Sequence, residues 1–209
     1  MAAEIIKIDP AHRQFAFSRC REVISRGGVI AYPTDTYYGL GADPKNPVAV
    51  KRLFEIKGRK VDQPILLLIA KADDVKMWTA EINPASEHLM EKFWPGPLTL
   101  VFKARTDVLR ELTAGTGTIG LRVPGNEVTR SLLNFLGIAL TGTSANVSGG
   151  SSPQTAEDAA ASLGDTVDLI LDGGRTAGGR PSTVVDVSTG QPSVLREGAL
   201  RLKDLPSGG

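Results

Sequence analysis

The chain has 209 residues, of which 41% are hydrophobic and 22% are charged, and its formal net charge is +1. This composition predicts a soluble globular protein, and the length favours one domain over two small ones. The near-neutral charge indicates no overall attraction to nucleic acid, so any basic site must be local. The single cysteine, Cys20, excludes a disulfide framework and a cysteine-based metal site.

Targeting signals and membrane spans are not evident in the sequence. No apolar stretch approaches the roughly 20 residues that a membrane-spanning helix needs. The N-terminus has neither a basic start nor a long apolar run, so it does not have the pattern of a signal peptide. Together with the lone cysteine, these observations predict a cytoplasmic protein without membrane contact.

Periodicity predicts an α/β protein. Apolar residues at helical spacing predict helices at residues 13–26, 47–56, 73–78, 84–93, 127–136 and 156–163. Short apolar or alternating runs predict strands at residues 5–8, 29–32, 65–70, 98–103, 118–123, 136–140, 167–171, 183–187 and 193–196. Because strands alternate with helices early and pair directly near the C-terminus, we expect one domain over residues 1–209 with a mixed sheet. Its ordered core should run from about residue 5 to about residue 200, and its C-terminal tail should be flexible.

The segment TGTSANVSGG at 141–150 is the most polar part of this pattern. It follows the predicted strand 136–140 and carries hydroxyls, one side-chain amide and glycines. In open α/β sheets, ligands bind at such strand ends, although an ordinary polar loop has the same composition.

Further polar segments accompany other predicted strands and helices, at 34–36, 57–59, 118–122 and 182–183, with Arg196 in addition. None contains a nucleophile–histidine pair, a metal-ligand cluster or a carboxylate pair, and the P-loop and GxGxxG templates are absent. The side chains are mainly hydrogen-bond donors, which suit an anionic ligand such as a phosphate chain or a carboxylate.

Two basic positions each allow two interpretations. If Gly58 ends the helix, Lys57 and Arg59 project to one side and grip a polyphosphate; otherwise they are cations that complement a helix end. Arg122 lies in an apolar strand, where its partner is either an internal aspartate or the carboxylate of a ligand.

In their order and spacing, these segments resemble the YrdC/TsaC family of threonylcarbamoyl-adenylate synthases. The matching segments are GVIAYPTDTYYGLG at 28–41, KGR at 57–59, WPGPLT at 94–99, GLRVP at 120–124, SANVSG at 144–149, PST at 181–183 and LREG at 195–198. The resemblance implies a YrdC-like fold, a single domain with a twisted mixed sheet and flanking helices around a concave cavity.

The resemblance also implies an activity. Family members are nucleotidyltransferases that condense L-threonine, bicarbonate or CO2, and ATP with Mg2+ into threonylcarbamoyl-AMP and pyrophosphate. The product supplies the t6A modification of tRNA through a downstream threonylcarbamoyl-transferase complex. No protein nucleophile is required, so catalysis is mostly positioning and charge stabilisation.

Site residues follow from the matched motifs. The resemblance implies that the catalytic and ATP-binding residues are Lys57, Arg59, Ser144 and Asn146, with further ATP contacts from Thr118, Ser152 and Arg196. It implies that threonine is held by Thr36, Arg122 and Ser182, with Arg122 on the carboxylate. No carboxylate cage for a protein-bound metal is evident.

Two departures and two alternatives accompany this assignment. Leu68 stands where some family members have a histidine near threonine, and residues 175–180 are a candidate lid in place of the linker of longer relatives. The first alternative is a YciO-like paralogue, a branch that lacks the Lys-x-Arg and Ser-x-Asn pairs present here. The second is a module that binds tRNA or double-stranded RNA, with a basic surface lined by Arg105, Arg110, Arg122, Arg175 and Arg180.

Overall fold

A computed structural model of the protein describes residues 3–58 and 63–201. The described residues form ten strands: β1 (Glu4–Lys7), β2 (Ile30–Tyr32), β3 (Gly39–Gly41), β4 (Leu66–Leu68), β5 (Leu98–Lys103), β6 (Thr118–Arg122), β7 (Leu140–Ser144), β8 (Leu169–Asp172), β9 (Thr183–Asp186) and β10 (Ser193–Arg196). They make one sheet in the order β1-β8-β2-β3-β7-β4-β6-β5-β9-β10. The pairs β1–β8, β2–β8, β4–β6 and β5–β9 are parallel and the other pairs are antiparallel, so the predicted mixed sheet is confirmed.

Helices flank this sheet. They are α1 (Arg13–Ser25), α2 (Pro47–Lys57), a 3-10 helix (Ala72–Met77), α3 (Pro84–Phe93), α4 (Arg110–Thr113), α5 (Glu127–Leu136) and α6 (Ala156–Leu163). Side chains that accept hydrogen bonds from first-turn N–H groups begin four of them, at Asn46, Asn83, Asn126 and Thr155. Among the described residues, no helix is long and apolar enough to cross a membrane.

The two faces of the sheet are covered differently. Successive strand side chains point to opposite faces, so Ala31 of β2 packs into one core cluster while Ile30 and Tyr32 pack into another. The first cluster includes the buried residues of α2, α3 and α6 and extends under β4, β5, β6 and β9. The second includes those of α1 and α5 and covers mainly the β1, β8 and β2 half of the opposite face. The remaining half of that face, over β4, β6, β5 and β9, is open.

The predicted strand 136–140 is wrong. Helix α5 continues to Leu136 and ends at Gly137, whose φ of 71° suits the left-handed cap that glycine favours. Strand β7 then begins at Leu140 and includes the polar residues up to Ser144. The polar stretch is a strand because β3 and β4 pair with it, and because the Thr141 hydroxyl accepts a hydrogen bond from the Ala42 N–H at 2.9 Å.

Three smaller differences concern local elements. The polar segment at 34–36 is followed by strand β3, which was not predicted, and Gly41 of β3 packs against the Tyr32 ring so closely that a Cβ there would lie 2.6 Å from Tyr32 Cε1. The helix predicted at 73–78 is a 3-10 helix, and the short helix α4 was not predicted. The expected C-terminal tail lies mostly outside the described residues, and the single-domain assignment over 1–209 stays a prediction.

Candidate active site

A cavity of about 790 Å3 occupies the open half of the sheet face. On three strands the lining residues stand at alternate positions: Leu66 and Leu68 on β4, Thr99 and Val101 on β5, and Thr118, Gly120 and Arg122 on β6. The intervening residues of these strands, such as Leu67, Leu100 and Leu121, point to the first core cluster. The period of two therefore places the polar side chains of several strands on one wall.

Most of the side chains that the sequence predicted as site residues line this one cavity. They are Thr36, Thr118, Arg122, Ser144, Ser152, Ser182 and Arg196. Arg59 lies outside the described residues. Lys57 and Asn146 are not among the lining residues, and both are buried directly behind Ser144.

Lys57 is the last residue of α2, and only 3% of it is exposed. Its Nζ donates to the backbone oxygens of Ser144 and Asn146 at 2.7 and 2.6 Å, and to Asn146 Oδ1 at 2.9 Å. The Ser144 hydroxyl lies 3.3 Å from the same nitrogen. A buried ammonium is stable only when oxygens replace its water, and these four do so. Lys57 is therefore not an exposed cation at a helix end.

Further hydrogen bonds hold the loop after β7 against Lys57 and the end of α2. The Ser144 hydroxyl donates to Asn146 Oδ1 at 2.6 Å, and the Asn146 amide donates to the Gly150 carbonyl. The Ser148 N–H donates to the Lys57 carbonyl at 3.0 Å. Gly58, with a φ of 56°, ends α2 as the sequence predicted. We call Lys57, Ser144 and Asn146 the lysine bracket.

Arg122 lies on the opposite side of the cavity floor, and 4% of it is exposed. Its Nε donates to the Gly96 carbonyl at 2.9 Å, and its Nη2 forms an ion pair with Asp35 Oδ2. Neither Asp35 oxygen accepts a hydrogen bond from the rest of the described chain, so the guanidinium supplies its charge compensation. Of the two partners considered for Arg122, the internal aspartate is present, and the side chain still lines the cavity.

Burial lowers the pKa of Arg122 to about 10, with the charge of Arg196 acting in the same direction and Tyr32 opposing it. Burial likewise lowers the pKa of Arg196. Arg122 nevertheless remains a cation at neutral pH, because its pKa stays well above 7. Two arginines facing one cavity make an anion the favoured ligand.

Ser182 connects Arg196 to the cavity wall. Arg196 Nη2 donates to the Ser182 carbonyl at 2.9 Å and to the Ser182 hydroxyl at 3.2 Å. The same hydroxyl lies 2.9 Å from Thr99 Oγ1.

Sequence reasoning did not single out Thr99 or Asp35, and the available signal was their place inside the matched segments at 94–99 and 28–41.

The remaining predicted residues lie around the rim and floor. Thr118 Oγ1 lies 2.9 Å from Thr116 Oγ1, and both residues line the cavity. Leu68 lines it too, directly opposite Arg122 in the register of β4 and β6, so the wall there is apolar.

The segment after β8 runs along the edge of the cavity. The Gly178 N–H donates to the Thr36 carbonyl at 2.7 Å, and the Tyr37 hydroxyl donates to the Gly179 carbonyl at 2.5 Å. The Tyr38 hydroxyl donates to the Gly174 carbonyl at 2.8 Å. This segment, predicted as a candidate lid, is tied to the turn that carries Thr36.

The arginines proposed for a basic RNA-binding surface do not form one uniform group. Arg122 is buried in the cavity, Arg105 pairs with Asp107 at 3.0 Å, and Arg175 donates to the Gln154 side chain at 3.0 Å. These interactions compensate or bury part of the charge on which such a surface would depend.

The mixed α/β sheet carries a cavity whose hydrogen-bond donors suit an anionic ligand. A family model named Sua5_yciO_yrdC and described as "Telomere recombination" matches residues 22–198. The chain belongs to this Sua5/YciO/YrdC family, as its segments indicated.

Two curated relatives are both named threonylcarbamoyl-AMP synthase. The chain is 39% identical to the threonylcarbamoyl-AMP synthase of Pyrococcus abyssi over 87% of this chain and 54% of that protein. It is 38% identical to the threonylcarbamoyl-AMP synthase of Thiobacillus denitrificans over 80% of this chain and 89% of that protein. The chain thus spans about half the length of some relatives, such as the Pyrococcus abyssi protein, and most of the length of others.

Solved structures share the fold. Pyrococcus abyssi Sua5 complexed with L-threonine matches with a TM-score of 0.90 and 35% identity, over 98% of this chain and 59% of that one. Escherichia coli YciO matches with a TM-score of 0.85 and 29% identity, over 97% of this chain and 98% of that one. The predicted fold class is confirmed by both similarities.

Proposed function

We propose that this protein is an enzyme, a nucleotidyltransferase that makes threonylcarbamoyl-AMP and pyrophosphate from L-threonine, bicarbonate or CO2, and ATP. The observation that carries the proposal is the convergence of Thr36, Arg122, Ser144, Ser182 and Arg196 on one cavity. The names of the curated relatives support it. The site has donors for two anionic substrates and needs no nucleophile of its own.

The proposed reaction needs hydrogen-bond donors and no protein nucleophile, which is what the cavity offers. The neutral threonine amine adds to CO2 and loses a proton to give a carbamate, or it reacts with bicarbonate with loss of water, and a carbamate oxygen then attacks the α-phosphorus of ATP. The bond from the α-phosphorus to the bridging oxygen breaks, and pyrophosphate leaves with its electrons. Because negative charge develops on phosphate oxygens, the protein contributes mainly fixed donors and alignment.

We place the ATP phosphates beside the lysine bracket, with further contacts from Thr118, Ser152, Arg196 and Arg59. Lys57 holds the backbone and side chains of Ser144 and Asn146 in position. The Ser144 side chain then faces the cavity from a fixed loop. The Ser144 hydroxyl already donates to Asn146 Oδ1, so it offers the cavity an oxygen in a fixed position, and a group that is fixed in advance requires no reorganisation when charge develops.

We place threonine beside Arg122, Thr36 and Ser182, with the carboxylate on the Arg122 guanidinium. Planar guanidinium groups bind carboxylates with two parallel hydrogen bonds. The threonine complex of Pyrococcus abyssi Sua5, which superimposes over nearly the whole of this chain, supports an amino-acid site in this fold. Leu68 gives the same site an apolar wall, which suits the threonine methyl group.

Mg2+ fits the site as a companion of ATP. The described residues contain no cluster of three or more His, Cys, Asp or Glu side chains able to hold a metal. Mg2+ commonly binds through substrate phosphates and water, and the Ser144 hydroxyl, which lines the cavity, offers an oxygen atom of the kind it takes, whereas Asn146 Oδ1 already accepts from Lys57 and Ser144 behind it. When bound, it would neutralise phosphate charge.

Within the cell, we place the reaction in the cytoplasm, upstream of a transferase complex that passes the threonylcarbamoyl group to tRNA. A mixed anhydride of this kind is reactive, so a transferase must consume it soon after release. Direct contact with tRNA or double-stranded RNA is a separate question. Steeply salt-dependent tRNA binding would support it, and no binding at moderate salt would remove it.

Pyrophosphate release with each substrate omitted in turn tests the function. We expect release only when ATP, L-threonine and bicarbonate are present together, and threonylcarbamoyl-AMP should be detected by mass spectrometry. Pyrophosphate release that does not depend on threonine and bicarbonate would instead favour the YciO-like alternative, which the structural similarity to Escherichia coli YciO supports. If none of the three dependencies appears, the synthase assignment is wrong.

A further inference from the structure

Thr99 is a buried polar residue to which the proposed function gives no role. It lies on the cavity side of β5, while Leu98 and Leu100 on either side point into the core of the other face. Only 2% of it is exposed. A buried hydroxyl without a partner costs about 1–3 kcal/mol, so the partner that Thr99 does have is informative.

That partner is Ser182, at 2.9 Å between the two hydroxyl oxygens. In the described part of the chain, no other group forms a hydrogen bond with Thr99 Oγ1. Ser182 Oγ has a second neighbour, Arg196 Nη2, at 3.2 Å. The hydroxyl of Ser182 therefore lies between a guanidinium and another hydroxyl.

The available protons determine the direction of these hydrogen bonds. A serine hydroxyl has one hydrogen and two lone pairs, and a guanidinium can only donate. Arg196 therefore uses one lone pair of Ser182. Either hydroxyl can donate in the Thr99–Ser182 pair, but Thr99 has no other acceptor among the described residues, and when Thr99 is the donor its hydrogen uses the second lone pair of Ser182. The hydrogen of Ser182 is then left for a ligand, and Ser182 lines the cavity.

We propose that Thr99 is a positioning residue that makes the Ser182 hydroxyl a hydrogen-bond donor to the carboxylate of bound L-threonine. This role depends on the proposed function, which places threonine beside Ser182. Thr99 does not touch the substrate in this arrangement. It acts by fixing the orientation of one hydroxyl, in the way that buried networks orient the side chains that contact a ligand.

A purely structural role for Thr99 is the competing explanation. β-branched residues are favoured in strands, and the Thr99 methyl carbon lies against Gly120, where an added Cβ would be 3.4 Å from it. In that explanation the methyl group matters and the hydroxyl does not. The two explanations therefore predict opposite results for Thr99→Val, which keeps the shape, and Thr99→Ser, which keeps the hydroxyl.

The experiment measures L-threonine affinity by calorimetry, with ATP affinity and the melting temperature in parallel. We expect Thr99→Val to bind threonine about fivefold to tenfold more weakly, the size of one hydrogen bond, with ATP affinity unchanged within about twofold. Thr99→Ser should bind like the wild type. Thr99→Ala is a second hydroxyl-free variant, in case the valine variant is unstable. Wild-type affinity in Thr99→Val, or equal losses in the valine and serine variants, would overturn the role.

Ser182→Ala completes a double-mutant cycle. If Thr99 acts through Ser182, then Thr99→Val should weaken threonine binding no further once Ser182 is alanine. Additive losses would overturn the proposal. Wild-type protein that binds no threonine would overturn the proposed function and this role together. Wild-type binding with no effect of Thr99→Val would overturn the Thr99 role alone.

Discussion

The two ends of the cavity use their cations in different ways. In the lysine bracket, the ammonium of Lys57 is turned inward onto oxygens of Ser144 and Asn146. Outside the lysine bracket, Arg122, which we assign to threonine, and Arg196, which we assign to ATP, are each held by a backbone carbonyl and still line the cavity. The compact ammonium of a lysine can be buried and donate all its hydrogen bonds to protein oxygens. The planar guanidinium of an arginine can be held along one edge by the protein and still present its other donors to a ligand. One cation shapes a loop, and the other two face the ligand.

The largest effect should come from Lys57→Met, which keeps the stem of the side chain and removes the ammonium. The oxygens of Ser144 and Asn146 would lose their buried donor, so we expect the free energy of unfolding to fall by about 2–4 kcal/mol. Turnover should fall by about 100-fold or more, because the phosphate-side donors lose their fixed positions. Chemical denaturation and the pyrophosphate assay measure the two effects.

Lys51→Met is the matched control on the same helix. The Lys51 side chain is 79% exposed and lies 3.9 Å from Glu55, so its loss should change neither stability nor turnover appreciably. A Lys57→Met variant as stable and as active as Lys51→Met would show that the lysine bracket does not organise the site.

Arg122→Lys should affect one substrate selectively. A lysine keeps a cation beside Asp35 but loses the fork that binds a carboxylate through two hydrogen bonds. We expect the KM for threonine to rise about tenfold to 100-fold, with the KM for ATP nearly unchanged. Arg105→Lys is the control, because Arg105 is half-exposed and pairs with Asp107. An equal rise in both KM values would mean that the two ends do not hold separate substrates.

The smallest effect should come from Tyr37→Phe. It removes one hydrogen bond, worth about 1 kcal/mol, between the turn that carries Thr36 and the candidate lid at residues 175–180. Hydrogen exchange of the backbone amides of residues 178–180 should become faster, while turnover stays close to that of the wild type. Unchanged exchange in this variant would show that the hydroxyl does not tether the segment.

Much of this site follows from the sequence because its parts are local. Polar segments beside apolar strands predicted most of the residues that share the cavity, the resemblance added Ser152, and Gly58 marked a helix end correctly. What local pattern cannot supply is the partner across the sheet. Strand β7 was missed because its polarity is satisfied by β3 and β4, which are distant in sequence.

The same limit applies to individual side chains. Lys57 appeared as a surface or phosphate-binding cation because nothing near it in sequence reveals the oxygens that bury it. Asp35 contacts Arg122, and Thr99 contacts Ser182. In each pair the partner lies 80 or more positions further along the chain, so local sequence could not reveal the contact. Alternation along β5 did place Thr99 on the opposite face from Leu98 and Leu100, so a threonine there in an apolar strand was a signal beside its place in the matched segment 94–99.

The most direct test of the two-ended site is a crystal structure with L-threonine, Mg2+ and an ATP analogue whose α–β bridge cannot be cleaved. We predict the threonine carboxylate on Arg122 and the phosphates beside Ser144, within one cavity. Threonine bound away from Arg122, or phosphates bound away from the lysine bracket, would contradict the account.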